Sequence, residues 1–339
     1  MHTQKRGARN GLRRYQCMDC NHWFSIDHRR KQKESFLNLH LKGTSIRTLA
    51  SRHNVGIRTA YRRITEELEV LPHNNDVTHD YCNRKRFRGE LVVDGKYVKV
   101  KGYKKKIPLL YGIDYWTHDI PVCLLATSES FQWWVQFFTK LKNADYPLVT
   151  VTCDDCEAIK MAAEYVFPDV LAQLCHVHFL ENIRKELQVR SDETYQNFMV
   201  DIEKNIFDLP ILGEKNLKRH IRWRAPRHQD DPKKIAALQY IFDHAEALTN
   251  YVKAETWFKA KCPKDTNLIE SYNSQIQGRL ETIQGFESFK TAERWLSAWI
   301  LQRRITPLTD CKRKFKKLNG TCSLEHTKRG KVKLPNFFN

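Results

Sequence analysis

Pro147-Leu148-Val149-Thr150-Val151-Thr152-Cys153-Asp154-Asp155 is a short run rich in apolar and β-branched residues that ends abruptly in acid. Such a run predicts a buried strand with a carboxylate at its exit. Upstream, Leu91-Val92-Val93-Asp94 has the same form, and Tyr97-Val98-Lys99-Val100-Lys101 alternates like a half-exposed strand. Ile107 to Asp114 and Ile120 to Ala126 predict two more strands, parted by the turn-like Tyr115-Trp116-Thr117-His118-Asp119. Ser128 to Leu141 then has helical spacing, with Phe131, Trp134, Val135 and Phe138 on its core face.

Three strands, a helix and a strand ending in an acid is the order of a ribonuclease-H-like α/β sheet. The first and fourth strands lie side by side in that fold, so Asp94 and Asp154 are expected to meet at one edge. A carboxylate closing an apolar strand is costly unless it is solvated, paired or bound to metal. Two that converge repel each other unless a cation sits between them, and Mg²⁺ takes hard oxygen ligands of this kind. Taken singly, each Asp also fits a cap for the next element. Asp155 is adjacent, but along an extended strand its side chain points away from that of Asp154. Cys153-Asp-Asp-Cys156 imitates a metal knuckle, yet Cys153 ends a predicted buried strand, where a small thiol packs readily. A third acid lies in Asp265 to Gln277. As a helix this segment puts Asn267, Glu270, Asn273 and Gln277 on one polar face and Leu268, Ile269, Tyr272 and Ile276 on the apolar one. A single carboxylate among amides differs from the mixed Lys and Glu of an ordinary solvated face.

Towards the N-terminus, Cys17-Met-Asp-Cys20 places two thiols at a spacing that suits one tetrahedral zinc. It resembles the second half of a zinc ribbon whose first half is absent. Either His22 and His28 complete the ligand set, or the pair is a metal-free turn held by its aromatic neighbours. From Lys31 three helices are predicted: one carrying Phe36, Leu37 and Leu41, one from Ile46 to His53 capped by Ser45, and one from Ile57 to Leu68. The last two, joined by Asn54-Val55-Gly56, match a helix-turn-helix, with Arg58, Thr59, Tyr61, Arg62 and Arg63 placed to touch DNA. The polar stretch from His73 has little apolar periodicity and is expected to be a linker. The predicted organisation is a ribbon-like segment (1–30), the helix-turn-helix (31–72), the linker (73–89), the α/β domain (90–304) and a basic tail (305–339).

The 339 residues carry 58 Lys and Arg against 39 Asp and Glu, a net charge of +19. Residues 1–90 hold 19 basic and 9 acidic side chains, and residues 301–339 hold 11 and 2, whereas the middle is balanced at 28 of each. A neutral body with two cationic ends points to a nucleic-acid partner, since phosphates reward clustered cations through counterion release. No apolar run approaches the ~20 residues of a membrane span, and no apolar segment follows the basic start as in a secretory leader. A cytoplasmic protein with ten reduced cysteines is therefore expected.

Four motifs, Val93-Asp94-Gly95, Val151-Thr-Cys-Asp154-Asp155-Cys-Glu-Ala-Ile159, Leu174-Cys175-His176-Val-His178-Phe-Leu-Glu-Asn182 and Thr266-Asn267-Leu-Ile-Glu270-Ser-Tyr-Asn273, occur in this order. In order and style the chain resembles the Mutator-like bacterial insertion-sequence transposases, most closely their zinc-binding variant with an N-terminal ribbon. The resemblance implies a catalytic triad of Asp94, Asp154 and Glu270 holding two Mg²⁺ or Mn²⁺ ions. It also implies an α-helical insertion between the second and third acids, here about 185–262. Cys175 and His178 match that family's Cys-x-x-His signature and, with Asn267 and Asn273, would support the site or pack the insertion. The implied activity is binding of transposon terminal repeats, Mg²⁺-dependent cleavage, and strand transfer into target DNA by a nucleoid-associated homo-oligomer. The other readings are a DNA-binding regulator descended from a transposase, and a nuclease or resolvase that stops at hydrolysis.

Overall fold

The computed structural model describes residues 2–9, 12–25, 35–190, 192–207 and 213–338. Strands β1 (Thr3–Arg9), β2 (Leu12–Cys17) and β3 (Trp23–Ser25) form a small antiparallel sheet. Helices α1 (Phe36–Leu41), α2 (Ile46–Arg52) and α3 (Ile57–Val70) follow. Ser35 and Ser45 cap α1 and α2 by accepting the N–H groups of Asn38 and Thr48. Glu67 of α3 accepts the first two N–H groups of α1, from Phe36 and Leu37, at 3.1 Å each, which ties the positive end of α1 to α3. Leu37, Leu41, Leu49, Ala60 and Ile64 fill the space between the three helices.

The stretch expected to be a linker is instead packed structure. Helix α4 (Asn74–Tyr81) buries Asn74, Val77 and Thr78. Asn74 donates to the carbonyl of Ile120, Thr78 to that of Pro121, and Asn75 both donates to the Cys123 carbonyl and accepts its N–H. The helix binds its neighbour through amides and hydroxyls, so it lacks the apolar stripe that would betray a buried helix in sequence.

The central sheet comprises β4 (Glu90–Val98), β5 (Ile107–Asp114), β6 (Cys123–Leu125), then, after helix α5 (Phe131–Asn143), β7 (Thr150–Cys153). Helix α6 (Glu157–Val166) leads to β8 (Leu171–Leu174). Strand order is β6-β5-β4-β7-β8. The first three strands are antiparallel, while β4 with β7 and β7 with β8 are parallel. Every residue of β5 is buried, as befits a strand covered on both faces. The expected β6 and α5 are present but begin three residues later than predicted, at Cys123 and Phe131, with Ser130 still extended before α5.

Five helices then form one body: α7 (His176–Glu186), α8 (Gln196–Ile202), α9 (Glu214–Arg224), α10 (Pro232–Asp243) and α11 (Ala245–Lys253). Phe179, Ile183, Leu217, Ile221, Leu238 and Ile241 make its separate core. The chain returns to the sheet as α12 (Asn267–Ile283) and α13 (Phe289–Arg304). Helix α13 also meets the N-terminal helices, where Arg294 donates to the Leu68 carbonyl at 3.5 Å.

The basic tail is likewise ordered. It carries α14 (Ser323–Thr327), whose Ser323 and Thr327 hydroxyls donate to the buried Asp119. Asp119 also receives a bidentate pair from Arg304, at 2.7 and 2.8 Å. Arg304 in turn donates to Asn74 and Thr78 of α4, so one buried cation joins α4, the β5–β6 turn, α13 and the tail. Lys314 lies over the rings of Tyr115 and Trp116 rather than free in solvent. No helix among the described residues is long and apolar enough to cross a membrane.

Candidate active site

Asp94 stands at the middle of β4, where that strand no longer pairs with β7: the parallel register runs from Glu90 opposite Thr150 to Val92 opposite Thr152. Asp154 follows directly on the last residue of β7. The two strands thus carry their acids to the point where they part. Helix α12 crosses this opening and brings Glu270 and Asn273 to it, one turn apart.

Asp94 is held by two donors. The Gly95 N–H donates to its Oδ1 at 2.7 Å and Asn273 donates to its Oδ2. Tyr111, opposite Asp94 on β5, donates its hydroxyl to Asn273 Oδ1 at 2.8 Å and so fixes which end of the amide faces the acid. Burial pushes the Asp94 carboxyl up to about 6, and the nearby charge of Asp154 adds to the rise. The Asp154 carboxyl is also raised, by burial first and by the charge of Glu270, while His178 pulls the other way. These mutual effects link the three acids in one field.

His178, on the first turn of α7, lies between two of them. Its Nδ1 is 2.7 Å from Asp154 Oδ1 and its Nε2 is 3.6 Å from Glu270 Oε1. The ring thus bridges two of the three acids. Thr266, the residue before α12, is a second junction and went unassigned in the sequence although it opens the fourth motif. Its buried hydroxyl is 2.9 Å from Glu270 Oε1, 3.1 Å from His178 Nδ1, 3.3 Å from Cys175 Sγ and 3.4 Å from Asp154 Oδ1.

Asp154, Cys175 and His178 present ligand atoms within 4.8 Å of one another, the one such group of three among the described residues. Burial raises the Cys175 thiol. Of the three acids expected to bind metal, Asp154 alone belongs to this group; carboxylate oxygens are hard donors of the type that suits Mg²⁺ or Mn²⁺. Asn267, expected to support the site, stands exposed at the first position of α12, with its backbone N–H on Asp265. Asp155 turns from the acids, as expected. It accepts from the hydroxyl of Tyr240 in α10 and lies 3.9 Å from His244.

At the N-terminus, Cys17 is buried and Cys20 exposed. Hydrogen bonds from the Cys20 and Asp19 backbone hold the Cys17 thiol below its ordinary range. His22 does not complete a three-ligand group with this pair, and His28 lies outside the described residues. On α3, Arg58, Tyr61 and Arg62 are exposed, and Thr59 is half-buried. Arg63 is not free to face a groove, because its guanidinium lies over the Phe36 ring at 5.0 Å.

A family model described as "Transposase, Mutator family" matches residues 86–304, a span holding all three acids and the helical insertion. The chain is 26% identical over 246 residues to the transposase for insertion sequence element IS256 in transposon Tn4001 from Staphylococcus aureus, and equally to that from Enterococcus faecalis. The aligned region covers 70% of this chain and 60% of each relative.

Proposed function

The chain belongs to the Mutator family of transposases, and from that premise we propose that it is a DDE transposase with a ribonuclease-H-like catalytic domain. In this reading it binds the terminal repeats of an insertion sequence, cleaves there and joins the freed end to target DNA. What supports the proposal is that His178 and Thr266 each reach both Asp154 and Glu270, while Asp94 bonds Asn273, one turn along α12 from Glu270.

Asp94, Asp154 and Glu270 would hold two divalent ions, which when bound lower the barrier to in-line displacement by stabilising both the attacking and the leaving oxygen. The remaining groups position these three. Asn273, oriented by Tyr111, aims Asp94. Thr266 fixes Glu270. His178 ties Asp154 to Glu270. No side-chain nucleophile is needed: water attacks the phosphodiester at the element's end and the released 3′-hydroxyl attacks the target, with rate coming from position and fixed charge.

The helix-turn-helix of α2 and α3 would place Arg58, Tyr61 and Arg62 on DNA. Cys17 and Cys20 would bind zinc only with ligands beyond those described. Two ends must be held together, so a homo-oligomer on DNA follows, acting in the bacterial cytoplasm on the nucleoid. The test is Mg²⁺-dependent strand transfer with the element's own terminal repeats. Joining supports the transposase, hydrolysis without joining means a nuclease, and binding without either means a regulator. Asp94→Asn, Asp154→Asn and Glu270→Gln should each abolish joining while leaving end binding intact.

A further inference from the structure

The acids above reach the opening between β4 and β7 from the α12 side. Asp94 and Gly95 are neighbours on a strand, so their α-carbons present opposite faces, and the face at Gly95 is covered by Glu129, from the turn before α5. A β-carbon built on Gly95 would lie 1.5 Å from Glu129 Oε1 and 2.7 Å from its Cδ. The absence of a side chain at 95 is therefore what gives this carboxylate its seat. Tyr97, on the same face two residues on, donates its hydroxyl to Glu129 Oε2 at 3.0 Å and leaves Oε1 against the strand beside Asp94. Burial raises the Glu129 carboxyl, Tyr97 opposes the rise, and the charges of both Asp94 and Asp154 add to it, which places all three within electrostatic reach. Glu129 is thus seated against the backbone of Gly95, the residue next to Asp94.

We propose that Glu129 is a fourth carboxylate of the centre, entering the gap from the α5 face as Glu270 enters from the α12 face, and that it supplies an oxygen to the divalent ion held at Asp94. The inference rests on reading the acids as a metal site. Its test is Mn²⁺ binding to the full chain without DNA, read from the electron paramagnetic resonance of free Mn²⁺, with thermal melts to verify folding. Glu129→Gln should weaken binding about tenfold or more. Gly95→Ala, which keeps the charge but fills the seat, should reproduce part of that loss. Wild-type affinity in Glu129→Gln overturns the inference, and so does loss in Glu129→Gln with none in Gly95→Ala, since the charge would then act without the seat. Asp94→Asn and Asp154→Asn mark the alternative failure: if they too bind Mn²⁺ as the wild type does, the metal-site reading itself falls.

Discussion

Asp94→Asn should make the metal-free protein more stable at neutral pH while removing its response to divalent ions. The Asp94 carboxyl is pushed up to about 6 from an ordinary 3.8, chiefly by burial. A rise of roughly two units is worth about 3 kcal/mol at 1.36 kcal/mol per unit. The sign follows from proton linkage: the folded state binds the proton more tightly than the unfolded one, so stability falls as pH rises between about 4 and 6, and the full cost stands above that window. Asparagine carries no charge and keeps an acceptor for the Gly95 N–H, but its amide confronts the amide of Asn273, a loss of about 1 kcal/mol. The net gain is about 1–2 kcal/mol, or a rise in Tm of about 1.5–3 °C, at about 1.4 °C per kcal/mol for a chain of this size. The assay is a melt in chelator at pH 7.5 and pH 5, repeated with Mn²⁺ at pH 7.5. The variant should melt higher at pH 7.5 and lose most of that advantage at pH 5, midway through the window, where about half of the linkage cost is lifted. Added Mn²⁺ should raise the wild type by mass action and leave the variant almost unmoved. A variant that melts lower than the wild type in chelator at pH 7.5, or that gains equally at both pH values, refutes the reasoning.

Thr266→Val removes the hydroxyl shared by Glu270, His178 and Asp154 and should slow end cleavage about 10- to 100-fold with about 1 kcal/mol lost in stability; undiminished cleavage would show that the junction does not position Glu270. Arg304→Met leaves Asp119 buried without its partner and should cost about 3–5 kcal/mol, read as a lower urea midpoint, and an unchanged midpoint would contradict the central place given to this pair. Arg58→Ala and Arg62→Ala should each reduce the salt dependence of DNA binding by about one unit of slope, whereas Arg63→Ala should lower stability through Phe36 and leave that slope in place.

The sequence exposed what regular periodicity and strand-end charge encode. The runs into Asp94 and Asp154 are visible because Val, Leu and β-branched Thr carry no charge until the acid, and their adjacency follows from element order; the strand expected to stop at Asp94 instead continues to Val98. Strand β8 was hidden because Leu-Ala-Gln-Leu is short and holds a buried glutamine, whose amide bonds the carbonyls of Leu174 and Leu248. Helix α4 was hidden for the same reason, its buried face being Asn and Thr. The tail's role was hidden because a single ion pair, Asp119 with Arg304, does the work that an apolar run would have announced. Glu129 left no local signal: a lone acid in a serine-rich turn becomes significant only when Gly95, 34 positions earlier, is seen beneath it.

The helical insertion is built into the centre rather than appended to it. Helix α7 begins at His176, straight off β8, so the imidazole between Asp154 and Glu270 belongs to the insertion's first turn. The His176 N–H donates to the Lys264 carbonyl at 2.8 Å, which joins that turn to the segment leading into α12. On the other side, Tyr240 of α10 stacks on Phe179 with centroids 4.5 Å apart and donates to Asp155, the residue beside Asp154. A movement of the five helices relative to the sheet must therefore shift His178, the exit of β7 and the start of α12 together. Three acids on three separate elements hold a common geometry only if those elements share supports. The insertion provides these through His178, Tyr240 and the Lys264 carbonyl, which is the physical reason for a large helical body to sit between the second acid and the third.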